Sequence, residues 1–475
     1  MKKSYWLMVL ILGLALFFRL FRLTELFHFT MDEELIAWRA YGLFKLHRPF
    51  LIGGISPLQV HLPPYFYYLM AVLLWPFKFN PVGWGISGAI VAILTLVSLY
   101  FLAKKLFDRQ TAILAIIFQA FSFTAIFFDR HFWPMSLSPL LIVFSFSIII
   151  RISQKKFLPY LSLALILLLA LSSDPSNLVL ALTLLIWFIL NRKKLNSRFA
   201  FGAFFILLIL FFTPLFLFDV RHQWQNFGGI VRLWQTTTAH QFGFSQLLSG
   251  LLLLPKTLTR FWYSPQTNLI AIYSYCQQYA QARVNLSWFL VMLAIFVLLW
   301  FMLKIKNSGI NLLLIFYTFG LTAFGALGFP LFDHYLTGLL PVFALISAVI
   351  IRRLPKFFGY LLILIFIIFN LIQFIRVSDP YGLKFKVELV VWVNQSLNGK
   401  SFDLESISKC HRENGLRYLF ELSGNPPAVS FMDGNFSWLY PQAPSTNPPE
   451  KIVTVTDKPS IGQKFGAMSV EIVNQ

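Results

Sequence analysis

Of the 475 residues, 57% are hydrophobic, 18% are aromatic and only 12% are charged, and the mean hydropathy is +0.70. No soluble globular domain has that balance, so the chain is an integral membrane protein. The net charge of +20 resides in residues 1–375, where 29 Lys and Arg stand against 9 Asp and Glu, whereas residues 376–475 hold 10 of each. The basic residues fill short gaps between apolar runs, which excludes nucleic-acid binding in favour of orientation in a bilayer.

The chain opens MKKSYWLMVLILGLALFF, which has the basic start and apolar core of a signal peptide but no small-residue cleavage site, and it is read as a retained first span. Runs of about 20 apolar residues lie near 4–21, 83–103, 110–128, 134–150, 158–172, 176–190, 199–218, 286–303, 309–330, 333–351 and 356–375, and they predict eleven transmembrane helices. The pair flanking SSDPSN (172–177) is short, and is read either as two spans or as a re-entrant hairpin.

Lys2/Lys3 and the patches at 104–109, 151–156, 191–198, 304–306 and 352–356 carry 17 of the 29 basic residues and fall on one side, which is assigned to the cytoplasm. Asp32, Asp129, Asp174, Asp219 and Asp333 each mark a different outer loop. Two outer loops, 22–82 and 219–285, are too long for plain connectors. Within them, WRAYGLFKL (38–46) and SQLLSGLLLLPKTLTRFW (245–262) suit helices lying on the membrane surface, apolar face down and basic residues up.

Beyond residue 375, VELVVWVNQSL, LRYLFEL and KIVTVTD mix strand-like and helical patterns at ordinary polarity, predicting a small α/β domain on the outer side. The expected architecture is an all-α polytopic membrane domain, residues 1–375, followed by an extracytoplasmic α/β domain, residues 376–475. Cys276 and Cys410 are too few for a disulfide framework and are read as free thiols, the alternative being a pair if both lie outside the cytoplasm.

Three consecutive carboxylates, Asp32, Glu33 and Glu34, stand just past the first span. Thr30-x-x-Glu33 is a capping-box pattern, and acidic residues in a first turn complement the helix dipole, which accounts for Glu33 and Glu34. Asp32 is better explained by its company. Arg19 and Arg22 end the first span, Arg130 and His131 leave the third, Asp219, Arg221 and His222 leave the seventh, and Asp333-His334 enters the tenth. Charges at membrane depth tend to be functional. A carboxylate among cations suits proton removal from an acceptor hydroxyl while a phosphate departs. The plainer readings are headgroup snorkelling for Arg19, Arg22 and Lys256 and structural roles for His61 and His334. His61, His222 and His334 show no metal-ligand spacing, although a divalent metal stays open, and there is no phosphate-cradling glycine loop or serine elbow.

These segments resemble the bacterial glycosyltransferases of family 39 and their relatives, the protein O-mannosyltransferase, aminoarabinose transferase and lipid-A-core galacturonosyltransferase group with the GT-C fold. The likeness rests on LFFRLFRL followed by Asp32-Glu33, on HLPPYFYYLMAVLLWPF (61–77), DRHFWPMSLSPLL (129–141), PLFLFDVRHQW (214–224) and DHYLTGLLPVFAL (333–345), in that order. SFDLESI and GLRYLFEL resemble the tail of close relatives.

The resemblance implies a polyprenyl-phosphate sugar as donor, and inverting transfer to a lipid, glycan or protein hydroxyl on the outer face without a soluble cofactor. It implies Asp32 as general base with Glu33 beside it, and Arg130, Arg221 and His222 near the donor phosphate, where Arg19 is a further candidate. His61, His334, Lys256, Arg260 and Asp174 are candidate substrate-binding residues. Two alternatives stand beside this reading. One is a ligase or polymerase of lipid-diphosphate-linked oligosaccharides. The other is a lipid or solute transporter, which calls for inverted repeats and mid-bilayer polar residues.

Overall fold

The computed structural model describes residues 2–55, 60–152, 156–229, 231, 244–264, 288–304, 333–408, 413–443, 448–457 and 462–474. Helices fill every predicted apolar run except 309–330, which lies outside the described residues, as do Cys276 and Cys410. The first part comprises α1 (Lys2–Leu20), the single turn α2 (Leu23–Leu26), α3 (Met31–Lys45), α4 (Tyr65–Leu74), α5 (Val82–Leu106), α6 (Arg109–Phe121) and α7 (Phe123–Arg130). Then come α8 (Ser138–Ile149), α9 (Leu158–Ser173), α10 (Leu178–Leu190), α11 (Ser197–Arg221), α12 (Phe244–Trp262), α13 (Trp288–Lys304), α14 (Leu340–Arg353) and α15 (Lys356–Arg376).

Among the described residues, four helices have the length and composition to cross a bilayer, Val82–Leu106, Ser197–Arg221, Tyr335–Arg353 and Lys356–Arg376, and α6 with α7 makes a fifth as a pair bent by 63°. The other apolar helices are shorter. The 16 residues of α9 rise about 24 Å against a hydrocarbon core of about 30 Å, which is why the segment around SSDPSN was ambiguous in sequence.

The bend between α6 and α7 brings the site together. Ser122 is extended (φ −62°, ψ 120°), so the helical ladder breaks there at membrane depth, where free backbone groups are costly. Other helices satisfy the break: Asn370 on α15 accepts from the Phe123 amide at 2.7 Å, and Arg19 on α1 donates to the carbonyls of Ala120 and Gln119 at 3.2 and 3.3 Å. The turned α7 delivers Asp129, Arg130 and His131 to α1, α3 and α5. It lies so close to α5 that a Cβ at Gly88 would run into the Asp129 carbonyl. Gly88→Ala is therefore expected to lower thermal stability by about 1–3 kcal/mol, read as the melting midpoint of the purified protein.

The start of α3 is fixed by the capping box that its sequence announces. Glu33 accepts from the Thr30 amide at 2.5 Å and the Thr30 hydroxyl at 2.8 Å. Trp38 is fully buried against Tyr418 and Tyr440, with ring centroids at 5.0 and 4.8 Å, so the C-terminal region covers the face expected to meet the bilayer.

That region contains α16 (Leu383–Leu397), β1 (Phe402–Ser406), α17 (Leu416–Leu422), α18 (Asp433–Phe436), β2 (Lys451–Thr456), β3 (Gln463–Phe465) and β4 (Met468–Asn474). Its sheet has the order β1-β2-β4-β3, with β1 parallel to β2 and the other pairs antiparallel. VELVVWVNQSL, despite its β-branched content, is helical because Leu389, Val390, Val393 and Leu397 recur on one buried face.

Candidate active site

The three consecutive carboxylates do three different things. Glu33 is fully buried and, besides its cap to Thr30, lies 3.0 Å from His131 Nδ1. Burial raises the Glu33 carboxyl, but His131 and Thr30 outweigh it and hold the group below its ordinary value. Glu34, also fully buried, points the other way. It accepts from the Gly415 amide at 2.7 Å, the Tyr418 amide at 3.3 Å and the Trp38 indole at 3.3 Å, and burial keeps its carboxyl raised. Asp32 alone stays open. Its side chain is accessible, yet protein surrounds it on the wider scale, and that mass, followed by the Glu33 and Asp174 charges, pushes the carboxyl up to about 6.

From Asp32 the charged and aromatic groups form a row. Asp174, at the turn between α9 and α10, accepts from the Ser176 amide at 2.8 Å and is itself raised to about 6 by burial. Tyr67 lies within electrostatic reach of Asp32, Asp174 and Arg39, and Tyr335 within reach of both aspartates. Arg39 donates to the Gly53 carbonyl at 3.3 Å and is stacked between Phe50 and Trp438, 4.9 and 4.5 Å from the ring centroids. Burial pulls it down to about 10, which leaves it cationic at neutral pH, and its Nε has no acceptor among the described residues.

His61 comes next, within reach of Arg39, Asp219 and His222, and it is lowered by burial and then by Arg39. His61 and His222 both pack on Phe218, at 5.4 and 4.1 Å, and the exposed Arg221 adjoins His222. Asp219 caps the turn beyond α11 through the Asn226 and Phe227 amides at 2.8 and 3.2 Å. Removing a like charge favours the ionised form of a neighbour. Asp174→Asn is thus expected to move the titration of Asp32 to lower pH, measured as the pH midpoint of esterification at residue 32 by a reagent selective for protonated carboxyls.

The structure gives Arg19 and Arg130 partners within the protein. Arg19 is fully buried and bonds Asp129 Oδ2 through Nε (2.9 Å) and Nη2 (2.6 Å), with further bonds to the carbonyls of Ala15, Gln119 and Ala120. Arg130, 2% exposed, donates to the carbonyls of Phe18, Arg19 and Phe21 at 2.7, 3.3 and 3.1 Å, satisfying the C-terminal end of α1. Sequence reasoning saw cations at this depth without seeing that Asp129 pairs with Arg19 and that the end of α1 accepts from Arg130.

Lys256 lies 6.0 Å from the Trp288 ring, and burial lowers Arg260 to about 10 on α12, whose last turn packs on α7 through the Thr124 hydroxyl and the Arg260 carbonyl (2.7 Å). His334 follows Asp333 in a short 3-10 helix, and its side chain lies outside the described residues. Arg39, Tyr67 and His131 were not singled out as site residues by sequence. Arg39 stood in the quoted WRAYGLFKL, where the surface-helix reading turned it toward water. No group of three His, Cys, Asp or Glu suited to a metal occurs among the described residues.

A family model described as dolichyl-phosphate-mannose-protein mannosyltransferase matches residues 61–216, which hold α4 to α10, Asp174 and most of α11. ArnT from Cupriavidus metallidurans, solved with undecaprenyl phosphate, superposes with a TM-score of 0.62 at 10% identity, covering 98% of this chain and 97% of that one. Its apo form gives 0.60 at 11% identity over 96% and 94%. The chain has the GT-C fold of these structures. The GT-C likeness extends to the oligosaccharyltransferase of Archaeoglobus fulgidus, with a TM-score of 0.55 at 11% identity over 96% of this chain and 69% of that one. Among curated proteins, none matches the sequence. The GT-C chain is a multi-pass membrane protein whose Asp32 row lies between α3, α4, the α9–α10 turn and the end of α11.

Proposed function

We propose that the chain is a membrane glycosyltransferase that moves a sugar from a polyprenyl-phosphate-linked donor to an acceptor hydroxyl on the outer face of the membrane. The observation that carries this reading is Asp32: an accessible carboxylate raised to about 6, heading a series of groups, Asp174, Tyr67, Arg39, His61 and His222, each within electrostatic reach of the next. A base with that value is ionised at neutral pH and still strong enough to take a proton in the transition state.

In the reaction, the acceptor oxygen forms a bond to the anomeric carbon as its proton passes to Asp32. The bond from that carbon to the phosphate oxygen breaks, and polyprenyl phosphate leaves with the electron pair. Attack from the face opposite the leaving group inverts the carbon. Cationic Arg39 and the exposed Arg221 stabilise the charge gathering on the phosphate, and the two histidines supply N–H donors. Asp174, within electrostatic reach of Asp32, accepts hydrogen bonds from sugar or acceptor hydroxyls. The matched family model and the lipid-phosphate complex of ArnT support a lipid-linked donor. The clustering of basic residues at one end of the helices supports an extracytoplasmic site.

Donor choice tests the reading. Purified chain in nanodiscs is incubated with a panel of sugars on undecaprenyl monophosphate, with a diphosphate-linked glycan in parallel and an envelope-lipid extract as acceptor. Release of undecaprenyl phosphate from a monophosphate donor is expected. Consumption of the diphosphate donor alone would favour the ligase reading.

A further inference from the structure

The residues leading into Asp32 are fastened to the C-terminal α/β region one after another. The Phe27 carbonyl accepts from the Leu383 amide at 2.7 Å, and His28 Nδ1 lies 3.2 Å from Asp379, both side chains being buried. Phe29, held at φ 52°, offers its carbonyl to Lys386 Nζ at 3.1 Å, and the same ammonium bonds the Asn414 carbonyl at 2.5 Å. Lys386 is fully buried between the two segments, and burial pulls it down to about 8.

Glu34, two residues after Asp32, completes the attachment. Its carboxylate receives the amides that open α17, where Gly415 (φ +93°) is packed so tightly that an added Cβ would stand 2.5 Å from the Phe29 ring. Helix α17 is in turn tied to the membrane part, its Tyr418 hydroxyl donating to the Phe79 carbonyl at 2.9 Å. On the opposite side Glu33 is bound to His131 at the end of α7. Asp32 thus sits on a first turn gripped from two directions, with the membrane helices holding Glu33 and the C-terminal region holding Glu34.

We propose that Glu34 is a positioning residue through which the C-terminal α/β region sets the place of the Asp32 carboxylate, making that region a working part of the active site. The inference rests on Asp32 as the base. It adds that the base is placed by a region far along the chain, so that whatever moves this region moves the base. The groups that face Asp32, and so report its position, are Glu33 on its own helix, Asp174 from the α9–α10 turn, Tyr67 from α4 and Tyr335 ahead of α14.

The test uses the full chain in nanodiscs with Glu34→Ala and Glu34→Gln. Hydrogen exchange of the peptide spanning 413–422 reports the grip on α17, esterification of residue 32 against pH reports its surroundings, and release of undecaprenyl phosphate reports turnover. Glu34→Ala is expected to speed exchange in α17 by about tenfold. It should also move the esterification midpoint from about 6 toward the ordinary aspartate value, and lower kcat by between about ten- and a hundredfold with the donor KM unchanged. Glu34→Gln, which keeps a carbonyl acceptor for the Gly415 amide, is expected to recover most of all three.

Faster exchange with an unmoved midpoint overturns the proposal, and so does unchanged exchange. Should Glu34→Ala fail to fold, Gly415→Ala loosens the same contact from the other side and is read by the same criteria. Activity surviving in Asp32→Asn would remove the base assignment, while exchange and esterification would still decide whether Glu34 places residue 32.

Discussion

Asparagine in place of Asp32 is expected to lower the rate of sugar transfer by between about 10²- and 10⁴-fold, the usual contribution of a positioned general base, and to leave the donor KM unchanged. The substitution keeps the shape of the side chain and the Thr30–Glu33 cap, so α3 stays in register; what disappears is the proton acceptor. The same assignment fixes the sign of the pH profile. Because Asp32 works ionised and is raised to about 6, the wild-type rate is expected to fall by about tenfold per pH unit below that value and to level above it. The residual rate of the asparagine variant should lose that acid limb. An acid limb that persists in Asp32→Asn would assign the base to another group.

Methionine in place of Arg19 is expected to damage folding and spare chemistry. The substitution leaves the largely buried Asp129 carboxylate without its partner, and the carbonyls of Ala15, Gln119 and Ala120 lose their donor at membrane depth. Breaking a buried ion pair from one side costs about 3–5 kcal/mol, enough to remove most folded protein. Leucine at Asp129 in the same chain removes the stranded charge, and the double variant is expected to recover much of that loss, as a double-mutant cycle would show. The fraction that folds should transfer sugar at the wild-type rate per molecule. A large rise in donor KM with unchanged melting would instead return Arg19 to the donor phosphate.

The membrane helices were legible because a bilayer leaves the chain few choices: about 20 apolar residues per span and every backbone group satisfied internally. The capping box of Thr30 and Glu33 was legible for the same local reason. What the sequence could not display is who meets whom. His131 is 98 residues from Glu33, and Gly415 is 381 residues from Glu34. Neither pairing leaves a periodic trace.

The partners of the cations were hidden by the same blindness. The acceptors of Arg130, the last carbonyls of α1, are backbone and therefore invisible in a residue pattern. Arg39 looked like an outward arginine on a surface helix, whereas Phe50 and Trp438 close over it from segments that only the fold brings near. The break in α6–α7 was equally hidden, since nothing in QAFSFTA marks a 63° turn until Asn370 is there to accept from the freed amide and Arg19 to donate to the freed carbonyls.

The most direct measurement is an electron cryomicroscopy structure of the full chain in nanodiscs with polyprenyl phosphate. The phosphate is predicted to sit along the row from Asp32 to His222, within about 3 Å of a donor on Arg39, His61, His222 or Arg221, with space for a sugar beside Asp32. A phosphate bound at the opposite end of the helices, beside Lys104 and Arg109, with Asp32 far from any part of the lipid, would contradict the account.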